Sequence, residues 1–156
     1  MKRYIAAVVI IMLAFTACQK NTVSKIPKIR FQNMYPDSVI AGSGLDTVSI
    51  TFFLTDGDAD LGNDPTGTKY DIYVRDSRVD TFQGLFFPTI SPDAEDATKG
   101  IQGYCTFQEL GAFLLPRTDS IHTHFGDTLH YEFYIVDRAQ HESNHITTPD
   151  IYILPQ

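Results

Sequence analysis

The chain has 156 residues, with 12 lysines and arginines against 19 aspartates and glutamates, and a formal net charge of −7. An acidic surface repels phosphate backbones, so we expect no nucleic-acid partner. Its two cysteines are too few for the disulfide framework of a small secreted domain, and its length suits one domain with its own hydrophobic core.

The N-terminal residues have the pattern of a secretory signal. Two basic residues at positions 2 and 3 precede an apolar stretch from Tyr4 to Phe15, and a small residue, Ala17, precedes Cys18. The apolar stretch is shorter than the about 20 residues that a membrane-spanning helix requires. We therefore predict a signal peptide over residues 1–17.

The segment Phe15-Thr16-Ala17-Cys18 resembles the lipobox of bacterial lipoproteins, which ends in a small residue followed by the cysteine that is lipidated. The resemblance implies cleavage before Cys18 and attachment to a membrane through lipid on that cysteine. Gln19 follows it, in place of the Asp that is often linked to inner-membrane retention. We therefore expect a lipid-anchored cell-envelope protein of the outer membrane.

The polar residues 18–25 predict a tether, and residues 26–156 predict a single domain. Apolar residues in this domain recur with a period of two, which is typical of strands. Only Thr106 to Leu115 suggests a helix, and Gly111 and Pro116 would keep it short. The predicted strands, separated by turn residues, are Ile26 to Phe31, Asp46 to Leu54, Tyr70 to Arg75, Leu129 to Val136 and Ile146 to Leu154. Together they predict an all-β, antiparallel sandwich.

Two stretches resemble modules of known families. The run from Leu54 to Gly62, with the strand that follows, looks like the strand, aspartate-rich loop, strand unit of small Bacteroidota surface lipoproteins. The run from Tyr134 to Asn144 is similar to the ending of bacterial immunoglobulin-like and fibronectin-like modules, with Gln140 at a position that usually holds glycine. The resemblance implies a single antiparallel immunoglobulin-like β-sandwich, a fold that hosts many unrelated functions.

The aspartate-rich loop has the residue types of a calcium site. Asp56, Asp58, Asp60 and Asp64 lie in a glycine-containing loop, and side chains spaced by two can converge on one hard cation, which takes six to eight oxygens. In such a sandwich this loop lies at the same end as the loop before the last strand, so Asp137 can join them. The alternative is that these aspartates cap turns and bond local amides.

Two histidine patterns suggest other metals. His141, Glu142 and His145 satisfy the zinc-protease pattern H-E-x-x-H, which requires a helix to place both imidazoles on one face. Here the pattern lies between two predicted strands, so we predict a polar turn. His122 and His124 would share one strand face if that segment were extended, and a solvated loop is the alternative.

These observations favour a non-enzymatic binding or structural module of the cell envelope, stabilised by calcium, with an envelope protein or a glycan as its partner. One alternative is an accessory lipoprotein of a nutrient-uptake or secretion complex. The other is a zinc-dependent hydrolase that uses the H-E-x-x-H pattern at 141–145.

Overall fold

The computed structural model describes residues 23–62, 68–87, 90 and 99–156. Within these residues the fold is all-β, as the sequence predicts. A single turn of 3-10 helix covers Gly111–Phe113, and the short helix α1 covers Ser120–Phe125. The strands are β1 (Lys28–Tyr35), β2 (Ser38–Ile40), β3 (Thr47–Asp56), β4 (Ile72–Asp76), β5 (Gln83–Leu85), β6 (Ile101–Leu110), β7 (Asp127–Leu129), β8 (Tyr131–Ile135), β9 (Ile146–Thr147) and β10 (Ile151–Leu154).

The longest strands form a three-stranded antiparallel sheet in the order β1-β3-β6. Strands β3 and β6 pair along their full length, from Thr47 opposite Leu110 to Asp56 opposite Ile101. Every second residue of β3 faces the core, which confirms the period-two prediction there. Strand β1 lies at the edge of this sheet. Pro27, directly before it, has no N–H group to donate, which an edge strand tolerates.

Two further sheets complete the fold. One has the order β5-β4-β8-β9 and is antiparallel. In the other, β10 lies between β2, with which it pairs in parallel, and β7, with which it pairs in antiparallel fashion. The side chain of Asn144 joins the loop before β9 to β1, because it accepts from Ile29 N at 3.1 Å and donates to Ile29 O at 2.9 Å.

Buried residues from all three sheets form one hydrophobic core. Phe52 of β3 and Phe133 of β8 are fully buried, and their ring centroids lie 5.8 Å apart. Phe107 of β6 packs edge-on against Phe133 at 5.4 Å. The aromatic residues therefore join the β1-β3-β6 sheet to the β5-β4-β8-β9 sheet.

The helix prediction for Thr106 to Leu115 is wrong. Residues 106–110 belong to β6, and only the 3-10 turn follows them. Strand β6 pairs with β3 at ten positions, and this pairing outweighs the weak local preference of residues 106–110 for a helix. The helix α1 was not predicted, although Asp119 accepts hydrogen bonds from Ile121 N and His122 N and so caps its first turn.

Cys105 lies on β6, is half-buried and is a free cysteine. Burial raises the pKa of its thiol to about 11. A thiol that stays protonated at neutral pH is a poor nucleophile, so Cys105 acts as a small strand residue.

The predicted signal peptide, residues 1–17, and the lipidation site Cys18 lie outside the described residues. In the part of the chain that the structure does describe, no helix is long and apolar enough to cross a membrane.

Candidate functional site

Three carboxylates from two distant parts of the chain meet at one end of the strands. Asp56 is the last residue of β3, Asp60 lies four residues further on, and Asp137 follows β8. One ligand oxygen from each lies within 4.8 Å of the other two. Two oxygens bound to the same Ca²⁺, each at 2.3–2.6 Å, are separated by up to about 5 Å, so these three fit a single ion.

Backbone hydrogen bonds hold the two loops together. Arg138 N donates to Asp60 O at 3.0 Å, and Ala139 N donates to Asp60 Oδ2 at 3.1 Å. Within the first loop, Asp60 N donates to Asp56 Oδ2 at 3.0 Å. The carboxylates are therefore fixed by the fold before any ligand binds, which lowers the entropic cost of binding.

Three aspartates of the first loop each have one buried carboxylate oxygen that accepts no hydrogen bond from the residues that the structure describes. These atoms are Asp56 Oδ1, Asp58 Oδ1 and Asp60 Oδ1. Asp56 is fully buried. A buried carboxylate oxygen that lacks a donor costs several kcal/mol, and folded proteins rarely leave such an atom unsatisfied.

Burial and mutual repulsion oppose the negative charge of the cluster, and Arg138 offsets only part of this effect on Asp60. Burial raises the pKa of Asp56 to about 7, and repulsion from Asp60 and Asp58 adds to this effect. Burial, followed by the charges of Asp137 and Asp58, also raises the pKa of Asp60. A bound proton or a bound cation would relieve this repulsion.

Asp137 is held by its own turn. It is 2% exposed, and its two oxygens accept from His141 N at 2.7 Å and from His141 Nδ1 at 2.9 Å. Gln140 adopts a φ of 69° and donates from its side chain to Asp137 O. The turn thus keeps a glycine-like backbone, and a side-chain hydrogen bond offsets part of its cost.

Two glycines let neighbouring backbone cover the aspartates. A Cβ on Gly57 would lie 2.2 Å from Val23 O, and Gly57 N donates to Ser24 O at 2.8 Å. Gly100 has a φ of +69°, and a Cβ there would lie 2.6 Å from Asp56 O. The sequence analysis did not single out these glycines, at which a side chain would collide with the backbone beside the cluster.

The remaining predicted site residues lie in different places. Asp58 is adjacent to Asp56, and its second oxygen lies 3.9 Å from Lys25 Nζ. Asp64 lies outside the described residues. Glu142 is not part of the cluster, because its carboxylate accepts from His145 Nε2 at 3.0 Å.

The H-E-x-x-H residues are not helical, and Glu142 forms an isolated bridge with Val136. His141 bonds to Asp137, whereas His145 lies between Glu132 at 2.6 Å and Glu142. These two carboxylates raise the pKa of His145, Glu132 having the larger effect. Each imidazole is thus held by a different carboxylate, which is not the arrangement that a zinc-protease helix provides.

The strand-face hypothesis for His122 and His124 is wrong, because both lie in α1. His122 Nδ1 pairs with Asp119 Oδ2 at 2.5 Å, and its Nε2 lies 3.0 Å from Arg117 Nη2. A neighbouring guanidinium disfavours a cation at that nitrogen, so the helix offers no convergent imidazoles for a metal.

Comparison with protein-family models, with curated proteins and with solved structures found no match.

Proposed function

We propose that this chain is a non-enzymatic, lipid-anchored module of the cell envelope, an immunoglobulin-like β-sandwich in which a calcium ion joins the loops at one end. Its outer surface would bind an envelope protein or a glycan. The lipid anchor is supported by the sequence around Cys18, and the sandwich by the shared core between β3 and β8.

The main support for the calcium site is the buried carboxylate oxygen of Asp56, which lies beside Asp60 and Asp137 and has no hydrogen-bond partner among the described residues. Oxygen-only ligands with several negative charges suit a hard cation, and the flexible coordination of Ca²⁺ tolerates irregular geometry better than Mg²⁺ does. Water and backbone carbonyls commonly supply the other oxygens of such sites.

Calcium is expected to raise the melting temperature of the purified full-length chain. A ligand at one hundred times its Kd stabilises the folded state by about 2.7 kcal/mol. For a domain of this size, that corresponds to about 5–10 °C. Thermal unfolding followed by circular dichroism, with calcium, with an equal concentration of magnesium and with a chelator, measures the shift.

The variant Asp56→Asn tests whether calcium binds at the aspartate cluster. The amide removes a buried negative charge, so in chelator this variant should be at least as stable as the parent chain, while its response to calcium should be lost. Asp150→Asn, at an exposed position, is the matched control and should keep the full response. An unchanged melting temperature on adding calcium, or a normal response of Asp56→Asn, would refute the calcium site.

The anchor has its own test, with the two cysteines as matched variants. In cells fed an alkyne-bearing fatty acid, the parent chain and Cys105→Ala should take up the label and sediment with membranes. Cys18→Ala should do neither, since the resemblance places the lipid on Cys18 alone. Labelling of Cys18→Ala would contradict the anchor without affecting the calcium site.

A further inference from the structure

A second site lies at the opposite end of the strands from the aspartate cluster. Strands β5 and β6 are edge strands of their sheets, and a cleft of about 350 Å³ opens between them. Glu109, in its wall, pairs with Val48 near the start of β3, whereas Asp56 ends that strand. This volume is at the lower end of the range for small-molecule sites.

The wall of the cleft includes a tyrosine, Tyr131, whose hydroxyl makes no hydrogen bond to the described residues. Tyr131 is 7% exposed, and Phe107 and Phe133 hold its ring at 5.8 and 6.1 Å. Its backbone N donates to Thr148 Oγ1, but its hydroxyl makes no hydrogen bond within the described part of the chain. Although most of the side chain is buried, the hydroxyl oxygen is not among the fully buried atoms, so it is accessible in the cleft to a polar group of a ligand.

The cleft also contains an uncompensated negative charge. The carboxylate of Glu109, half-buried, makes no ion pair or hydrogen bond with the residues that the structure describes. Asp76, also in the wall, is already held by Arg78, whose Nη2 lies 2.7 Å from Asp76 Oδ2. Burial, followed by the charge of Asp76, raises the pKa of Glu109.

We infer that this cleft binds a small organic cation, an ammonium group on an apolar body. Glu109 would pair with the ammonium, the Tyr131 hydroxyl would accept a hydrogen bond from it, and the rings of Phe107 and Phe113 would cover the apolar part. Aromatic rings beside a carboxylate favour such a cation through ring quadrupoles as well as charge. The inference does not depend on calcium, since it uses none of the residues of the aspartate cluster.

Other classes of ligand fit the cleft less well. An anion would be repelled by Glu109 and Asp76. A neutral ligand such as a sugar would cover Glu109 without supplying a counter-charge, which is costly in a partly desolvated site. The volume admits a free amine of modest size rather than a folded partner.

Phenethylamine is a suitable probe, and 2-phenylethanol and phenylacetate are its neutral and anionic analogues. Titration of the full-length chain by calorimetry, with NMR shifts to locate the site, should give saturable binding of the amine. The alcohol should bind at least about tenfold more weakly, and phenylacetate should not bind, because only the amine pairs with Glu109.

Substitutions locate the binding. Glu109→Gln should weaken amine binding by about tenfold or more, and Tyr131→Phe should weaken it by a smaller factor that reports the lost hydroxyl. Glu142→Gln, a matched change at the other end of the strands, should leave binding unchanged. Glu109→Gln should also keep the calcium-induced rise in melting temperature, so failures of the two sites can be told apart.

Three results would each overturn the inference. The first is the absence of a saturable signal at about 10 mM amine, a concentration that fills even a millimolar site. The second is equal binding of the neutral alcohol, and the third is unchanged affinity in both the Glu109→Gln and Tyr131→Phe variants, with circular dichroism showing that both remain folded.

Discussion

Asp127→Asn should lower the free energy of unfolding by about 3–5 kcal/mol, the usual cost of removing one partner of a buried ion pair. The side chain of Asp127 is fully buried and accepts from Arg117 Nη2 at 2.8 Å and from Arg78 Nη1 at 3.1 Å. An amide would present N–H groups to the two guanidinium groups, whose own donors could no longer be satisfied. The mostly buried Arg78 would keep Asp76 as a counter-charge but lose its second carboxylate partner, and Arg117 would lose its ion pair with Asp127.

The effect of Asp127 should depend on pH in a defined direction. Burial alone would raise the pKa of Asp127, but hydrogen bonds from the side chain and backbone of Arg117, from Thr128 N and from Arg78 hold it well below its usual range. A depressed carboxyl pKa stabilises the folded state above the unfolded pKa of about 4, and this stability is lost as the pH falls through the folded value. The difference between the two chains should therefore shrink below about pH 4.

Urea unfolding at neutral pH and at about pH 3 measures both effects. Asp150→Asn is the matched control, because its exposed carboxylate pairs with His130 alone among the described residues, and it should change stability by less than about 0.5 kcal/mol. If Asp127→Asn were no more destabilising than this control, the buried ion pair would not stabilise the fold as argued.

The sequence predicted the strands whose two faces differ most. In β3, Val48, Ile50 and Phe52 are apolar and fully buried, while the residues between them are only half-buried. A strand with one face in the core must alternate in this way, and a one-residue shift would expose every apolar side chain. The period of two was therefore a reliable signal at β3.

The sequence did not predict where the chain passes from one sheet to another. The single strand predicted over Leu129 to Val136 is two strands, because β7 pairs with β10 whereas β8 pairs with β4. At the junction, His130 N donates to Ser77 Oγ and Ser77 N donates to His130 O. These partners lie more than 50 residues away, so no local pattern could indicate the break.

A second predicted strand is also divided between two sheets. The strand predicted over Ile146 to Leu154 is divided into β9 and β10, which belong to different sheets. Pro149 between them was a usable signal, because proline is rare inside a paired strand. The parallel pairing of β10 with β2 has no counterpart in the local sequence.

The aspartate cluster was partly accessible to prediction. The spacing of Asp56, Asp58 and Asp60 indicated the loop, and the arrangement of strands in a sandwich indicated that Asp137 would be close. The burial of Asp56 could not be predicted from residue spacing, since it depends on tertiary packing, which includes the close approach of Gly100 to the Asp56 backbone. The ion pair between Asp127 and Arg78 was not predicted because the two residues lie 49 positions apart along the chain.

Phe133→Ala should lower the free energy of unfolding by about 3–5 kcal/mol, the range for a fully buried phenylalanine. Phe133 is 0% exposed and contacts the rings of Phe52, Phe107 and Tyr131, so it lies where two sheets meet. Truncation to alanine removes these ring contacts and leaves a cavity. The strands around it cannot move to fill the cavity, because hydrogen bonds to neighbouring strands fix their positions. Phe133→Leu retains most of the volume and should cost less.

Urea unfolding compares these variants with Phe125→Ala, whose side chain on α1 is 77% exposed and whose loss should change stability by less than about 0.5 kcal/mol. The double variant Phe52→Ala/Phe133→Ala should be less destabilised than the sum of the single variants, because each truncation already removes the ring contact between the sheets. The expected coupling is about 0.5–1.5 kcal/mol. Strict additivity would mean that contact between the Phe52 and Phe133 rings contributes nothing measurable to the packing of the two sheets.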